Sequence, residues 1–587
     1  DTLTPPSGAV TLRSALESAS SGDTITFDPA LNGAVVELKA VADEHTTLKG
    51  EVYSGNTFTG YEDRDYGRSA LFVRKSLEID ASGLSDGITL HWSGDPSKPA
   101  RVLAVYGDLV MRNVTVRGGR SVGEALSGSQ PFTLARGAGL AVWGRLVLRH
   151  CTVADNRCEG DTQGSRDRGT YGGGIYANGL YIEDSVIAGN SAEGYGAAGG
   201  GIYSVGGADN VGGVGNDTRI VRCAISGNRV TAQHAYGGGI FTLSGGPNNL
   251  ARMTLENSTV ARNLAEDHPG LPEAGPHYYR GGGIYMGGGS LTLVSCTVAE
   301  NEVNGHAALF GGKPNMGGGG IAATIGNAHT VEDVIVRQSI VTGNRLNGSA
   351  EDWFVGSLLG FYSQGYNLFG VLDFSQILAP VPDWMDLNRK HYPMAGDRDG
   401  VALADAINVG GAQRHATVRS AGTDAGQPAV LWYPPAGPAV NRVPGSYTVE
   451  WVRAGYTGFG NSSDDFLNYV LAQIRSKYAD KLGAGFGTQF GDLTGTTWYG
   501  PRVTWPSEPA NAAWIAFWQN VDTEIAGRLG PAGLGDAFWG SFSTGALSPS
   551  VKITVERISR RIGVVGPDQR GSSRPSGGGA DVGAIEL

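Results

Sequence analysis

The segment "YGGGIYANGLYIEDSVIAGNSAEGYGAAGGGIYS" (171–204) holds two copies of GGGIY separated by a short apolar run that ends in Gly-Asn. Related units recur as "GLAVWGRLVLRHCTVADN" (139–156), "GIYANGLYIEDSVIAGN" (174–190), "IVRCAISGN" (220–228), "MTLENSTVARN" (253–263), "GIYMGGGSLTLVSCTVAEN" (283–301) and "VIVRQSIVTGN" (334–344). Each closes on an asparagine: Asn156, Asn190, Asn228, Asn263, Asn301 and Asn344, at intervals of 34, 38, 35, 38 and 43 residues. Self-similarity at such a period marks a solenoid. Apolar residues alternate within a unit, as Leu146 and Leu148, then Cys151 and Val153. That is the period of a strand, and no helical segment separates the units. Short strands repeated this way stack as coils of a parallel β-helix, each strand about 4.8 Å from the next.

The recurring Asn is expected at a turn, because Asn tolerates left-handed backbone and its amide can bond the same Asn one coil along. The glycine run is expected at the next corner, where a Cβ would collide with stacked backbone or meet an unfavourable φ. A glycine-rich phosphate cradle would need a following helix, and none follows.

Composition narrows the function. Gly accounts for 94 of 587 residues without a collagen period, and the net charge is −11. A nucleic-acid partner would want a basic stripe, and none is present. No run of eighteen apolar residues is available to span a membrane. The chain starts at Asp1 without a signal peptide, as expected of a processed or trimmed form. Of the four cysteines, three occupy one slot of the repeat, so small buried core residues are expected; a Cys151–Cys158 bridge stays open.

Three stretches carry a family resemblance: "TLRSALESASSGDTITFDPAL" (11–31), the GGGIY/GN coils, and "DQRGSSRPSGGGADVGAIEL" (568–587). Together they resemble secreted right-handed parallel β-helix proteins, in particular bacterial surface proteins with polymorphic-outer-membrane-protein-like repeats. The resemblance covers about 1–370 and 547–587. It implies a right-handed solenoid and an extracellular or cell-surface location. Such proteins include adhesins, glycosidases and polysaccharide lyases, so it leaves activity open.

The expected fold is all-β, a right-handed parallel β-helix with an N-terminal cap helix and a smaller inserted helical lobe. Residues 1–370 would hold the cap and coils, with Leu12, Ala15, Leu16 and Ala19 on one face of the cap helix. An irregular acidic segment with late coils would follow (371–440), then a Trp-rich lobe (441–546) and a closing segment (547–587). Two amphipathic helices are expected in the lobe, at 462–483 and 511–530.

Loops between each Asn and the next glycine corner vary in length and project from one side, where insertions often mark a binding face. That side carries the candidate substrate-binding residues His234, Tyr236, His268, His277, Tyr278, Tyr279, Arg280, His306 and Trp353. Rings stack on sugar faces and polar groups bond hydroxyls, so a polysaccharide or other glycan is the expected partner. A solvated polar loop face is the alternative. Candidate catalytic carboxylates are Asp352, Asp383, Asp386, Asp397 and Asp399, because glycoside hydrolysis needs two. Capping of turns by these Asp residues is the plainer role. "DRDG" (397–400) has the look of a calcium loop but lacks the full ligand series, so Ca²⁺ stays open as the one cofactor. No His pair has zinc-site spacing. A pectate-type lyase would show clustered Asp on one sheet, whereas the strands carry few charges, and Arg145, Arg149, Arg219 and Arg222 read as single solvent-facing residues. If an enzyme, the chain is expected to be a glycosidase; otherwise a non-enzymatic adhesin or structural subunit that binds itself or other surface proteins.

Overall fold

The structure, a computed structural model, describes residues 10–372 apart from 55–56, 124–132, 161–168, 207–216, 245–250, 271–276, 307–308, 311–312, 315, 325–332 and 356–359. Beyond 372 it describes 390–391, 396–407, 413–415, 430–432, 435–436, 439, 443–444, 446–457, 552–563, 568–569, 574 and 581–584. The fold is nearly all β, a parallel solenoid whose coils run through three walls. Among the described residues the first wall is an 18-stranded sheet, the second a 10-stranded sheet and the third an 11-stranded sheet. The expected helical segments 462–483 and 511–530 lie outside the described residues.

One coil shows how sequence becomes wall. Leu140–Arg149 crosses the first wall, Thr152–Ala154 the second and Arg157–Glu159 the third. Stacking is in register: Ile175, Ile202, Ile240, Ile284 and Ile321 pair in one inward column. Val153, Ile187, Ile225, Val260, Val298 and Val341 form another. All of these are fully buried, each burial contributing about 1.5–3 kcal/mol.

Three corners separate the walls, and each holds a left-handed residue. The glycine corner uses the first glycine of each run, for example Gly172 at φ +67° and Gly237 at φ +62°. The next two glycines are needed for space: a Cβ on Gly173 would overlap the Gly200 carbonyl, and one on Gly174 would meet the Asn190 amide at 2.8 Å. The Asn corner departs from expectation in one respect. Positive φ falls on the residue before each Asn, namely Asp155, Gly189, Gly227, Arg262, Glu300 and Gly343. The Asn itself is freed to face inward, where Asn190, Asn228, Asn301 and Asn344 have no exposed surface.

There the amides form a ladder. Asn156 Nδ2 donates to Asn190 Oδ1 (2.9 Å), and so on through Asn228, Asn263, Asn301 and Asn344 at 2.8–3.0 Å. Each Oδ1 also accepts the backbone N–H of the preceding Asn in the ladder. Each Nδ2 has a second acceptor, a backbone carbonyl such as Ile187 O for Asn228 (2.9 Å). The polar corner is therefore satisfied in the dry interior, where an unpaired amide would be costly.

A second column, at the corner between the first and second walls, alternates Cys151, Ser185, Cys223, Ser258, Cys296 and Ser339. Ser185, Ser258 and Ser339 Oγ accept from the N–H of Cys151, Cys223 and Cys296 at 2.9–3.0 Å. All four cysteines are buried free thiols, so the Cys151–Cys158 bridge does not form. Cys158 lies on the third wall, paired with Ala192. Burial pushes the thiols of Cys158 and Cys296 up to about 12.

The outer faces of the walls differ. Tyr176, Tyr203, Phe241 and Tyr285, the residues after the inward Ile, stack outside the first wall with ring centroids 4.8–5.4 Å apart. The outer face of the second wall mixes small apolar residues with Thr and Ser. Its outward Ala261, Ala299, Ile340 and Leu368 pack against Ala406, Ile407, Ala439, Val443 and Val582. The third wall carries ion pairs between coils, including Arg120–Glu159 (2.8 Å), Arg157–Glu193 (2.7 Å) and Arg229–Glu266. Its outer face is partly exposed, as is that of the first wall at Arg145, Arg219 and Arg252.

At the start of the chain, a helix spans Leu12–Ser18 with a Thr11/Ser14 capping box. Leu16 joins the core, and Arg13 donates to the carbonyls of Ala70 and Ala40. An antiparallel hairpin, Thr47–Ser54 with Thr57–Asp65, interrupts the early coils. Coil pairing continues past 370, since Lys390 and His391 pair with Phe361 and Tyr362. A second antiparallel ribbon joins Ser446–Thr457 to Lys552–Gly563.

Candidate functional site

The third wall and the loops that follow it gather most of the candidate binding residues. Arg229–Tyr236 pairs with Leu264–Glu266 and then with Tyr278–Arg280, matching His234 to Tyr278 and Tyr236 to Arg280. His234 lies between two rings on adjoining coils, edge-on to Tyr195 (5.3 Å) and stacked on Tyr278 (5.5 Å). Arg280 lies 4.8 Å from the Phe354 ring centroid.

Asp267 organises a second group. Its Oδ2 accepts from His306 Nδ1 (2.6 Å), and its Oδ1 accepts the His268 N–H (2.9 Å) and sits 3.8 Å from His277 Nδ1. His277 Nδ1 is 2.7 Å from the Tyr279 hydroxyl, and its Nε2 is 3.1 Å from Gln233 Nε2. His268 reaches across coils to Glu193 at 3.1 Å. Burial first, then the Asp267 carboxylate, holds the Tyr279 phenol well above its ordinary range. With Nδ1 donating to a carboxylate, a neutral His306 presents Nε2 as an acceptor. That ring is 60% exposed.

Exposure divides the candidates. His234, His277 and Tyr279 are buried and act as supports. Tyr236, His268, Tyr278 and Arg280 are half-buried, and His306 is exposed. Trp353 stands apart: it is buried inside the solenoid, edge-on to Phe361 and Phe369. Its outward neighbour in sequence, Phe354, is the one that meets Arg280.

The candidate carboxylates do not gather with these residues. Asp352 ends the Asn ladder, its Oδ1 accepting from Asn344 Nδ2 (2.7 Å) and N (2.9 Å) and its Oδ2 from Val371 N (2.7 Å). It is 1% exposed, and burial raises its pKa to about 6 despite those bonds. Asp397 ends the Cys/Ser column, accepting from Ser363 Oγ (2.5 Å) and from Asn367 N (2.9 Å) and Nδ2 (3.1 Å). Asp399 is exposed, and Asp383 and Asp386 lie outside the described residues. Among the described residues no three His, Cys, Asp or Glu side chains are placed to hold a metal ion.

Two features escaped the sequence. The arginines of the first wall are not single: Arg222 holds Glu183 (2.6 Å) and Asp184 (2.7 Å), and Arg219 holds Glu256 (3.0 Å). Arg145 and Arg219 are exposed as expected, and Arg149 and Arg222 are half-buried. The role of Asp267 was also missed; the signal was its place beside His268 in the longest of the variable loops. No protein-family model matches this chain, and no curated protein or solved structure matches it. Among the described residues no helix is long and apolar enough to cross a membrane.

Proposed function

We propose that this chain is an extracellular or cell-surface solenoid that holds a glycan on its third wall without cleaving it. The observation that carries this reading is the row Tyr195–His234–Tyr278 beside the Asp267-held His306, on the wall whose outer face stays polar. Half-buried rings supported from beneath give apolar faces for sugar rings, and His306 and Arg280 supply hydroxyl partners. Asp352 and Asp397 serve as ladder ends in this reading, which favours contact over hydrolysis. The coils are taken as right-handed, the hand of nearly all parallel crossovers. The Leu12–Ser18 helix is taken as the plug over the first coil, and the part of 441–546 that follows the ribbon strand Ser446–Thr457 as a helical lobe.

The test is a panel of extracellular polysaccharides against the whole chain and a Tyr278→Ala/His306→Ala double variant. Binding of at least one polymer, weakened about tenfold or more in the double variant, is expected. Equal binding by both proteins, or none to any polymer, would sink the proposal. Release of reducing ends from a bound polymer would make the chain a hydrolase.

A further inference from the structure

A second site lies at a different corner of the coil, where the first wall turns into the second. A groove of about 520 Å³ crosses several coils there, lined by Asp80, Arg112, Arg149, His150, Glu183 and Asp184, among others. That volume falls in the range of small-ligand sites, roughly 300–1,000 Å³.

The charges along it are ordered by strand register. Asp80 pairs with Arg112, Arg112 with Arg149, and Arg149 with Glu183, each on the next coil. Two arginines thus sit side by side in the middle of the row, an arrangement that destabilises a sheet unless the charge is met. Arg112 is met by Glu78. Glu183, which faces Arg149 in the row, is drawn instead to Arg222 at 2.6 Å. It reaches Arg149 only at 3.5 Å, beyond a normal hydrogen bond. The Arg149 side chain is 42% exposed to solvent although its Nε is buried without a hydrogen-bond partner, and the exposed His150 follows it in a left-handed turn at φ 53°. The groove is therefore cationic at its centre and carboxylate-bearing at both ends.

We propose that this groove binds an acidic sugar unit, with a carboxylate or sulfate on Arg149 and ring hydroxyls donating to the flanking carboxylates. The guanidinium fork suits a planar carboxylate, and the flanking acids reject a bare polyanion while accepting hydroxyl donors. The site is separate from the third wall and does not depend on the glycan reading made there.

Calorimetric titration of the whole chain with trigalacturonate, a sulfated neutral trisaccharide and galactotriose tests it. Binding of trigalacturonate, or of the sulfated sugar if the acid is a sulfate ester, is expected, with galactotriose at least tenfold weaker. Arg149→Gln should weaken acidic-sugar binding by tenfold or more. Arg262→Gln, which removes a comparable surface pair with Glu300, should leave it unchanged, as should the Tyr278/His306 double variant. No acidic-sugar binding at millimolar concentration, equal binding of galactotriose, or affinity unchanged by Arg149→Gln would overturn the assignment.

Discussion

Asp352 and Asp397 occupy positions that an Asn or Ser fills in earlier coils, and each is an acceptor where the row stops. An aspartate there needs no donor of its own to pass on to another coil. The cost is burial of a carboxylate, which raises Asp352 from its ordinary 3.8 to about 6. A raised folded pKa means that the native chain binds this proton more tightly than the unfolded chain. Its contribution to stability is therefore full below about pH 4 and lost as pH rises through about 6. Asp352→Asn removes the titration. Measured by urea unfolding, the stability of the native sequence relative to Asp352→Asn should fall by up to roughly 3 kcal/mol between pH 4 and pH 7. A difference independent of pH would show that Asp352 does not titrate in this window. Acid-rich sequence near these positions suggested chemistry; only the placement of Val371 and Asn344 around Asp352 showed what its oxygens hold.

The corners are the elements that make the coils identical. Gly173 and Gly196 belong to neighbouring coils, yet an added Cβ would strike stacked backbone at Gly173 and meet nothing within 4 Å at Gly196. Gly173→Ala should cost about 2 kcal/mol or more and Gly196→Ala less than about 1 kcal/mol, read from unfolding midpoints. Asn228 makes hydrogen bonds to Asn190, Asn263 and Ile187. Asn228→Ala should cost about 2–4 kcal/mol, since buried partners on both sides lose their bonds. Repetition made these elements legible: six Asn at a near-constant interval admit few explanations. The Cys/Ser alternation was equally present in the sequence as "RHC", "EDS", "VRC", "ENS", "VSC" and "RQS". Its meaning, hydroxyl acceptors for the backbone of alternate coils, needed the stacking order. The native chain should accordingly show no thiol reactive to an aromatic disulfide reagent, and four after denaturation, because all four cysteines are buried and unbridged.

At the scale of the molecule, described residues of the late chain pack on the second wall. Residues far apart in sequence close on the second wall: Gln569 accepts from Thr259 Oγ1 (2.6 Å) and donates to Cys223 O (3.1 Å), and Gly583 N donates to Gln338 O (2.8 Å). Gln569→Ala should lower stability by about 1–3 kcal/mol by orphaning a buried hydroxyl and a carbonyl, measured by thermal unfolding with the far-UV signal retained below the transition. The sequence by itself determined the repeat, its strand character, the Asn ladder and the glycine corners, because these are local and recur. It also carried the small outward residues of the second wall, in runs such as "TVA" and "VIA", although alternation alone cannot say what covers an outer face. Only the tertiary structure decided that the late chain covers it and that Asp267 joins His268, His277 and His306. The same holds for the Arg112–Arg149 row, which depends on which coil stacks on which. Those are contacts between positions tens to hundreds of residues apart, and register rather than sequence distance brings them together.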